Sequence, residues 1–494
     1  MVGMDSAHAR LLAEDLAEGG PSDARLRIRI GVPALEALQR GDAAPARRAL
    51  RGSTDDPTAT LARLFVLGDA MPAASVTDAL PRLGLTGAER LGVLSRRDGL
   101  VVPLVAIRPH QFDEQPGWIA SDLDELAGVF PLRADHVLGV GGAGRTLAAM
   151  LPPSGSGRAL DLGCGCGVIA LHLRRRGYDV VATDISERAL WFTRLNAELN
   201  GLDGIETRLG SLFEPVAGER FDLIASNPPF VITPRTDGVP QYEYRDAGAT
   251  GDALMAQVVG GVAAHLAPGG SARLLGNWED APGVPGLERV RGWTAGLGAW
   301  VVEREHLDPV RYAELWVRDG GTRPGTAEHQ ALMDAWLDDF ATRKVDGIGM
   351  GWVVLADIPG LARFERVPQH VDTAHLGSHI AEVLATAERL AGMDDARIAA
   401  SVLQVAGDVT EARHHLPGAE APSVLELRQG GGLARTEDVD PALAALVGAC
   451  DGDLPVGVLI DAIAELLEAD AEALRQDLLP RVCELLLTGM LRFP

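Results

Sequence analysis

The stretch that most constrains this 494-residue chain runs from Ala159 to Pro234. It opens ALDLGCGCGVIALHLRRRGYDVVATDI and closes FDLIASNPPFVITP. Apolar runs of strand length alternate here with amphipathic runs of helix length. Such alternation folds as a mainly parallel sheet covered on both faces. The expected strands are Ala159–Gly163, Asp179–Ile185, Ile205–Gly210, Phe221–Ser226, Ser271–Asn277, Trp300–His306 and Trp352–Ala356. Helices are expected at Val168–Arg176, Glu187–Asn200 and Gly251–Leu266. An insertion, Asp308–Ile348, separates the last two strands and contains a helix around Ala327–Thr342. Ligands of such sheets bind at the carboxyl ends of the strands.

The length exceeds what one core supports, and three domains are expected. Residues 1–115 read as helices, with apolar residues at helical spacing in MDSAHARLLAEDLAE, ALEALQRG, APARRALRG and PTATLARLFVLGD. Helices at Ala73–Leu80 and Thr86–Ser95 precede a hairpin that turns at Asp98-Gly99. Helices followed by a hairpin resemble a winged helix, which serves as a docking module or as a structural cap. Residues 116–358 form the α/β domain, entered through a bridge at 116–150. There GWIASDL is strand-like, and GVGGAG is followed by a helix starting near Arg145 or Thr146. This bridge reads as a lid over the cofactor site, with Thr146 near a helix N-terminus and able to hydrogen-bond an anionic group. Residues 359–494 return to helices, again winged-helix-like, with a boundary at Gly430–Gly432 and an acidic turn at Glu437-Asp438.

Bulk properties narrow the class. With 47% hydrophobic and 23% charged residues, the chain is an ordinary globular mixture. It has no apolar run of about 18 residues, so no membrane span is expected. The N-terminus lacks the apolar core of a signal peptide. Of the four cysteines, only Cys164 and Cys166 lie close together, and in a glycine turn they read as small filler. A reducing cytoplasm is the expected location. Lys344 is the single lysine, and this arginine-, alanine- and glycine-rich usage points to a high-GC bacterium. A net charge of −24 lacks the electrostatic footprint of a free nucleic-acid binder. No metal-ligand spacing, hydrolase triad or phosphate-cradling loop is present, and His414-His415 reads as a solvated turn.

Two motifs carry chemistry. In the first, Asp161 precedes Gly163, Gly165 and Gly167, and Asp184 follows seventeen residues after the last glycine. A strand, a glycine turn and a helix present backbone N–H groups to a ligand, and glycines let it approach the main chain. A carboxylate closing the second strand can accept both hydroxyls of a ribose. The pattern G-x-G-x-G preceded by an acid resembles the class I S-adenosylmethionine-dependent methyltransferases. The resemblance implies a Rossmann-like seven-stranded methyltransferase sheet and S-adenosyl-L-methionine as cofactor. It places Asp161 and the glycines at the methionine end, Asp184 at the ribose, and Ser211-Leu212 at the adenine. Many relatives carry Asp at the position of Ser211.

The second motif, Asn227-Pro228-Pro229-Phe230, directly follows the fourth strand. Proline fixes φ and stiffens the loop. The Asn227 side-chain oxygen and the Pro228 carbonyl are then two acceptors for an NH₂ group on a planar carbon. They aim its lone pair at the methyl donor and accept its growing positive charge. Phe230 offers a flat face to the acceptor plane. The motif at this position resembles the N-methyltransferases of base amines and of glutamine amides. The surrounding GSLFEPVAGERFDLIASNPPFV is most similar to HemK-like protein-glutamine enzymes and to the small-domain rRNA guanine methyltransferases. HemK-like enzymes usually have Tyr where this chain has Phe230.

Two of the four tyrosines, Tyr242 and Tyr244, fall in the next loop with Arg245. They are candidates for closing over the acceptor and steering it; the alternative is aromatics packed back on the domain. The expected activity is N-methylation of a macromolecule. Acidic charge and HemK-like wording place protein or peptide ahead of RNA or DNA, whereas the winged-helix-like ends suit a nucleic-acid enzyme. A cofactor-sensing DNA-binding protein is the rival from another class, and it has no need of Asn227.

Overall fold

The computed structural model describes residues 5–53, 55–129, 132–242, 245–246 and 248–494. The strands of its largest sheet are β1 (Arg158–Leu162), β2 (Asp179–Asp184), β3 (Ile205–Leu209), β4 (Phe221–Ser226), β5 (Leu266–Asp280), β6 (Gly298–Leu307), β7 (Gly347–Ala356) and β8 (Ala362–Arg366). Their order is β8-β6-β7-β5-β4-β1-β2-β3. The pairs β5–β4, β4–β1, β1–β2, β2–β3 and β6–β8 are parallel. The chain steps outward from β1 through β2 to β3, then returns to place β4 on the other side of β1. The carboxyl ends of β1 and β4 therefore flank the switch point where open α/β sheets bind ligands. Ala159, Leu160, Asp161 and Leu162 of β1 are all buried, as expected of a strand covered on both faces.

The helices used below are α1 (Gly142–Met150), α2 (Val168–Arg175), α3 (Glu187–Leu199), α4 (Ala253–His265), α5 (Gly286–Trp293), α6 (Pro309–Asp319) and α7 (Ala327–Arg343). The chain forms two compact units, one of residues 1–148, 154–295 and 306–350 and the other of 149–153, 296–305 and 351–494.

In the first unit, the N-terminal helix Ser6–Gly19 packs on α3, where Arg10 pairs with Glu198 at 2.9 Å. Its buried Asp15 accepts the Leu83 N–H at 3.0 Å. A three-stranded sheet joins Met71–Pro72 to the hairpin Leu94–Arg97 and Leu100–Pro103, with helices Ala73–Ala79 and Gly84–Leu91 between. The hairpin turns at Asp98 and Gly99 as expected, both at positive φ. A second hairpin, Ala106–Phe112 with Gln115–Ser121, lies against α3. The helix Asp23–Ile30 was not among the helices named for residues 1–115; Ser22 caps it by accepting the Arg25 N–H at 3.3 Å. The insertion holds two helices rather than one. Asp308 caps α6 by accepting the Arg311 N–H at 2.9 Å, with proline in the first turn. Both helices close on a core of Val231, Ile232, Tyr312, Trp336, Phe340 and Ile348.

In the second unit, the sheet gains an eighth strand where seven were expected. ARFER at β8 pairs with β6 from Ala299↔Ala362 to Glu303↔Arg366. Trp300 Nε1 donates to Glu365 at 2.6 Å, and Arg435 pairs with the same carboxylate at 2.7 Å, which fixes the added strand. Helices Pro441–Ala449, Val456–Leu466 and Ala471–Leu487 share one apolar core with Leu403 and Leu427. Glu437-Asp438 is not a turn: it lies in strand Thr436–Val439, paired with Leu427 and Glu426. His414 likewise ends a strand, Val409–His414, beside Glu426 at 3.2 Å.

Candidate active site

The glycine turn between β1 and α2 is folded over the end of β2. Gly163 and Cys164 both donate their N–H to the Thr183 carbonyl at 2.9 Å. Gly163 and Gly165 have φ of +77° and +54°, and a Cβ at either would meet nothing within 4 Å. Glycine is required there by backbone conformation, and the space beside the main chain is open. Gly167 serves packing as well, since a Cβ there would lie 2.7 Å from Thr193 Oγ1. Cys164 and Cys166 are buried free thiols in this turn. Burial raises the pKa of both, that of Cys166 to about 11.

Two carboxylates border the turn. Asp161 is 2% exposed and accepts the Ala170 N–H at 2.8 Å, tying β1 to the first turn of α2. Burial pushes its pKa up to about 7, and the charge of Asp184 adds to the rise. Asp184 accepts the Gly165 N–H with one oxygen and the Ser186 N–H with the other, both at 2.9 Å. Desolvation raises this carboxyl too, against the pull of those N–H groups. Each oxygen keeps a lone pair, so a diol can still be bound.

Two polar residues of α3, not singled out from sequence, hold the turn from behind. Thr193 Oγ1 donates to the Gly165 carbonyl at 3.1 Å. Asn196 Nδ2 donates to the carbonyls of Cys166 at 2.8 Å and Ala120 at 2.9 Å, and its Oδ1 accepts the Ala120 N–H at 2.7 Å. Asn200 repeats the contact one turn on, with the N–H and carbonyl of Trp118. The signal was polar residues spaced three and four apart on a helix face that is otherwise buried.

The adenine-side candidates follow β3. Gly210 donates its N–H to the Asp184 carbonyl at 3.0 Å, so the segment starts beside that strand end. Ser211 is exposed, and Leu212 takes a left-handed φ of +46°. Thr146 is not at a helix N-terminus: α1 begins at Gly142, three to four residues before the expected start, because two glycines were read as turn. Thr146 thus sits in the second turn. The glycine stretch does reach the site's edge, as a Cβ on Gly144 would lie 3.8 Å from Val168 Cγ1.

On the acceptor side, β4 and β1 are in register at Ser226↔Leu162, so Asn227 and Gly163 leave adjacent strand ends together. Adjacent strands lie about 4.8 Å apart. Asn227 Oδ1 is buried with no hydrogen-bond partner among the described residues. Pro228 is buried, and Pro229 and Phe230 are half-buried. Phe230 packs against the insertion core. Tyr242 and Arg245 are buried rather than exposed at a loop tip. Arg245 Nε donates to Asp246 at 3.0 Å, and its Nη1 reaches the Trp316 carbonyl and Asp319, each at 3.2 Å. Its guanidinium also lies 4.9 Å from the Tyr242 ring. The pair is built into the wall, which is the packed-back arrangement and not free steering groups. Tyr244 lies outside the described residues. Among those described, no group of three or more His, Cys, Asp or Glu is placed to hold a metal ion. Among the described residues, no helix is long and apolar enough to cross a membrane.

A glycine turn at a switch point, a carboxylate closing the next strand and an Asn-Pro-Pro-Phe loop beside them define a Rossmann-like methyltransferase domain. Residues 124–279 match the family described as methyltransferase small domain, and this segment belongs to it. Residues 23–104 and 381–493 match two families described as domains of unknown function, DUF7059 and DUF7782. The segment is 37% identical over 146 residues to a release factor glutamine methyltransferase of Xylella fastidiosa, covering 28% of this chain and 53% of the relative. It is 33% identical over 190 residues to ribosomal RNA small subunit methyltransferase C of Salmonella newport, covering 37% of this chain and 49% of the relative. The chain thus spans about half the length of the curated relatives it matches. Among solved structures, the T. thermophilus 16S rRNA N2 G1207 methyltransferase aligns at a TM-score of 0.28 and 20% identity, covering 51% of this chain and 64% of that one.

Proposed function

We propose that the chain is an S-adenosylmethionine-dependent N-methyltransferase acting on a planar NH₂ group of a macromolecule. The observation that carries this reading is Asn227 Oδ1, a buried acceptor with no hydrogen-bond partner among the described residues, held at a strand end beside the glycine turn. Leaving such an atom unpaired costs about 1–3 kcal/mol, a cost that an arriving N–H donor would remove.

The residues present fit the cofactor. Open space beside Gly163 and Gly165 admits a ligand against the main chain. Asp184 would hold the ribose hydroxyls, and Asp161 with the turn would face the cationic methionine end. Ser211 and Leu212 would border the adenine. When bound, S-adenosylmethionine would supply a methyl group on a sulfonium: the N–C bond would form from the acceptor lone pair as the S–C bond breaks, its electrons staying on sulfur as a neutral thioether, and the nitrogen would release its proton to water. Asn227 Oδ1 and the Pro228 carbonyl would accept the two N–H groups and stabilise the charge that grows on nitrogen. Phe230 would stack on the acceptor plane. Tyr242 and Arg245 would shape the wall through Asp246 rather than touch the acceptor.

The relatives' names include both a protein glutamine and a ribosomal RNA as methyl acceptors, and either presents a planar NH₂ group. The segments at 1–115 and 359–494 are proposed to recruit that macromolecule. Transfer of labelled methyl from S-adenosylmethionine into a cell lysate, followed by protease or nuclease, tests the reading. Label lost to one treatment names the acceptor class; no incorporation rejects the activity.

A further inference from the structure

The insertion has no part in the chemistry above, yet it holds the loop that carries Asn227. Tyr312 of α6 is fully buried. Its hydroxyl accepts the Ile232 N–H at 3.1 Å and Asn277 Nδ2 at 2.7 Å. Ile232 lies five residues after Asn227 and two after Phe230. Asn277 lies on β5 three residues beyond Leu274, the partner of Ser226 in the sheet. One hydroxyl therefore joins the insertion, the acceptor loop and the neighbouring strand end.

The same helix grips the loop a second time. Val231 donates its N–H to the Arg245 carbonyl at 3.0 Å, and Arg245 reaches α6 at Trp316 and Asp319. Apolar packing of Phe230, Val231 and Ile232 against the insertion core completes the contact. Prolines 228 and 229 fix local φ but not the tilt of the loop against the sheet. Asn227 Oδ1 has no hydrogen-bond partner among the described residues, so contacts made elsewhere along the loop set its position.

Resting on the methyltransferase reading, we propose that α6 is a brace for the acceptor clamp, with Tyr312 as the positioning residue that sets Asn227 and Phe230 beside the glycine turn. Burial raises the Tyr312 pKa, so the phenol stays neutral and the brace is insensitive to pH in the ordinary range. A displacement of about 1 Å at a reacting group can cost 100-fold in rate, and the hydroxyl acts at that scale.

The test uses the full chain with Tyr312→Phe, Asn277→Ala and the double variant. Hydrogen exchange is followed at Ile232 and at the turn around Gly163–Gly167, together with S-adenosylmethionine binding by calorimetry and labelled-methyl transfer into lysate. Tyr312→Phe is expected to speed exchange at Ile232 about tenfold or more and to leave the turn unchanged. The cofactor Kd should stay within about twofold while transfer falls about tenfold. Because both residues act through one node, the double variant should lose no more than the worse single variant. Unchanged exchange at Ile232, wild-type transfer, additive losses, or a Kd that weakens in step with transfer would each overturn the brace. If the wild type transfers no label, the methyltransferase reading falls, and exchange at Ile232 against the turn still upholds or overturns the brace.

Discussion

Ser226 donates its hydroxyl to the Leu162 carbonyl at 2.7 Å, fully buried at the last paired position of β4 and β1. The next residue on each strand belongs to a different half of the proposed site, Asn227 to the proposed acceptor loop and Gly163 to the glycine turn proposed to hold the cofactor. Ser226→Ala removes this buried bond and should cost about 0.5–1.5 kcal/mol. Denaturant unfolding checks the cost. A loss of transfer greater than the loss of folded protein would show that the bond also sets the spacing of the two halves.

Asn227→Ala should leave cofactor affinity nearly intact and lower transfer about 100-fold or more, the usual effect of deleting one group that stabilises developing charge. Calorimetry and labelled-methyl transfer on the same preparation separate the two effects. Unchanged turnover would sink the clamp.

Asp184→Ala removes two charge-assisted bonds to a diol, about 1.5 kcal/mol each, so S-adenosylmethionine should bind roughly 100-fold more weakly. Calorimetric titration measures this directly. No heat of binding in the wild type would remove the cofactor itself.

Asp161 gives the site a pH dependence. With its pKa near 7 in the free protein, binding a cationic group there requires the ionised form. As pH falls below about 7 binding must release a proton, and the apparent Kd should rise by up to about tenfold per pH unit. Asp161→Asn should flatten that profile, as read by titrations between about pH 5.5 and about pH 8.5. Folding runs the other way. A carboxyl raised above its unfolded value disfavours ionisation in the fold, so its contribution to stability declines as pH rises from about 4 to 7.

Asn196→Ala strips partners from Cys166 and from both backbone groups of Ala120. The expected cost is about 3 kcal/mol, seen in thermal or denaturant unfolding. Cofactor affinity should weaken too, because the turn loses its support. A variant as stable as the wild type would contradict this account.

Legibility in the sequence followed range. The strands at β1 to β4 were expected within one residue at either end, because each is a short run closed by a turn, mostly buried in β1, β2 and β4, whereas β3 at the sheet margin is half exposed. The glycine turn, Asp184 and Asn227 could be singled out as candidates because their residues are packed into short motifs. Thr193 and Asn196 were missed since a polar residue in a helix reads as solvent-facing until the partner is known. Tyr312 was out of reach for a similar reason, being 80 positions from Ile232. Helix α6 could have been found, as Asp308-Pro309 is a cap followed by a first-turn proline. Strands in 402–439 went unseen because their burial is intermittent and their pairing leaves many charges outside.

The outermost strands of the large sheet have one more consequence. At one margin β8 carries Arg363, Glu365 and Arg366; at the other β3 carries Glu206 and Arg208. The open backbone groups of a sheet margin invite another chain to add a strand. Here those charges are already engaged, Glu365 by Trp300 and Arg435, Arg363 by Glu484, and Arg208 by Glu206 and Glu219. An arriving strand would have to break into these pairs, which disfavours strand addition at either margin.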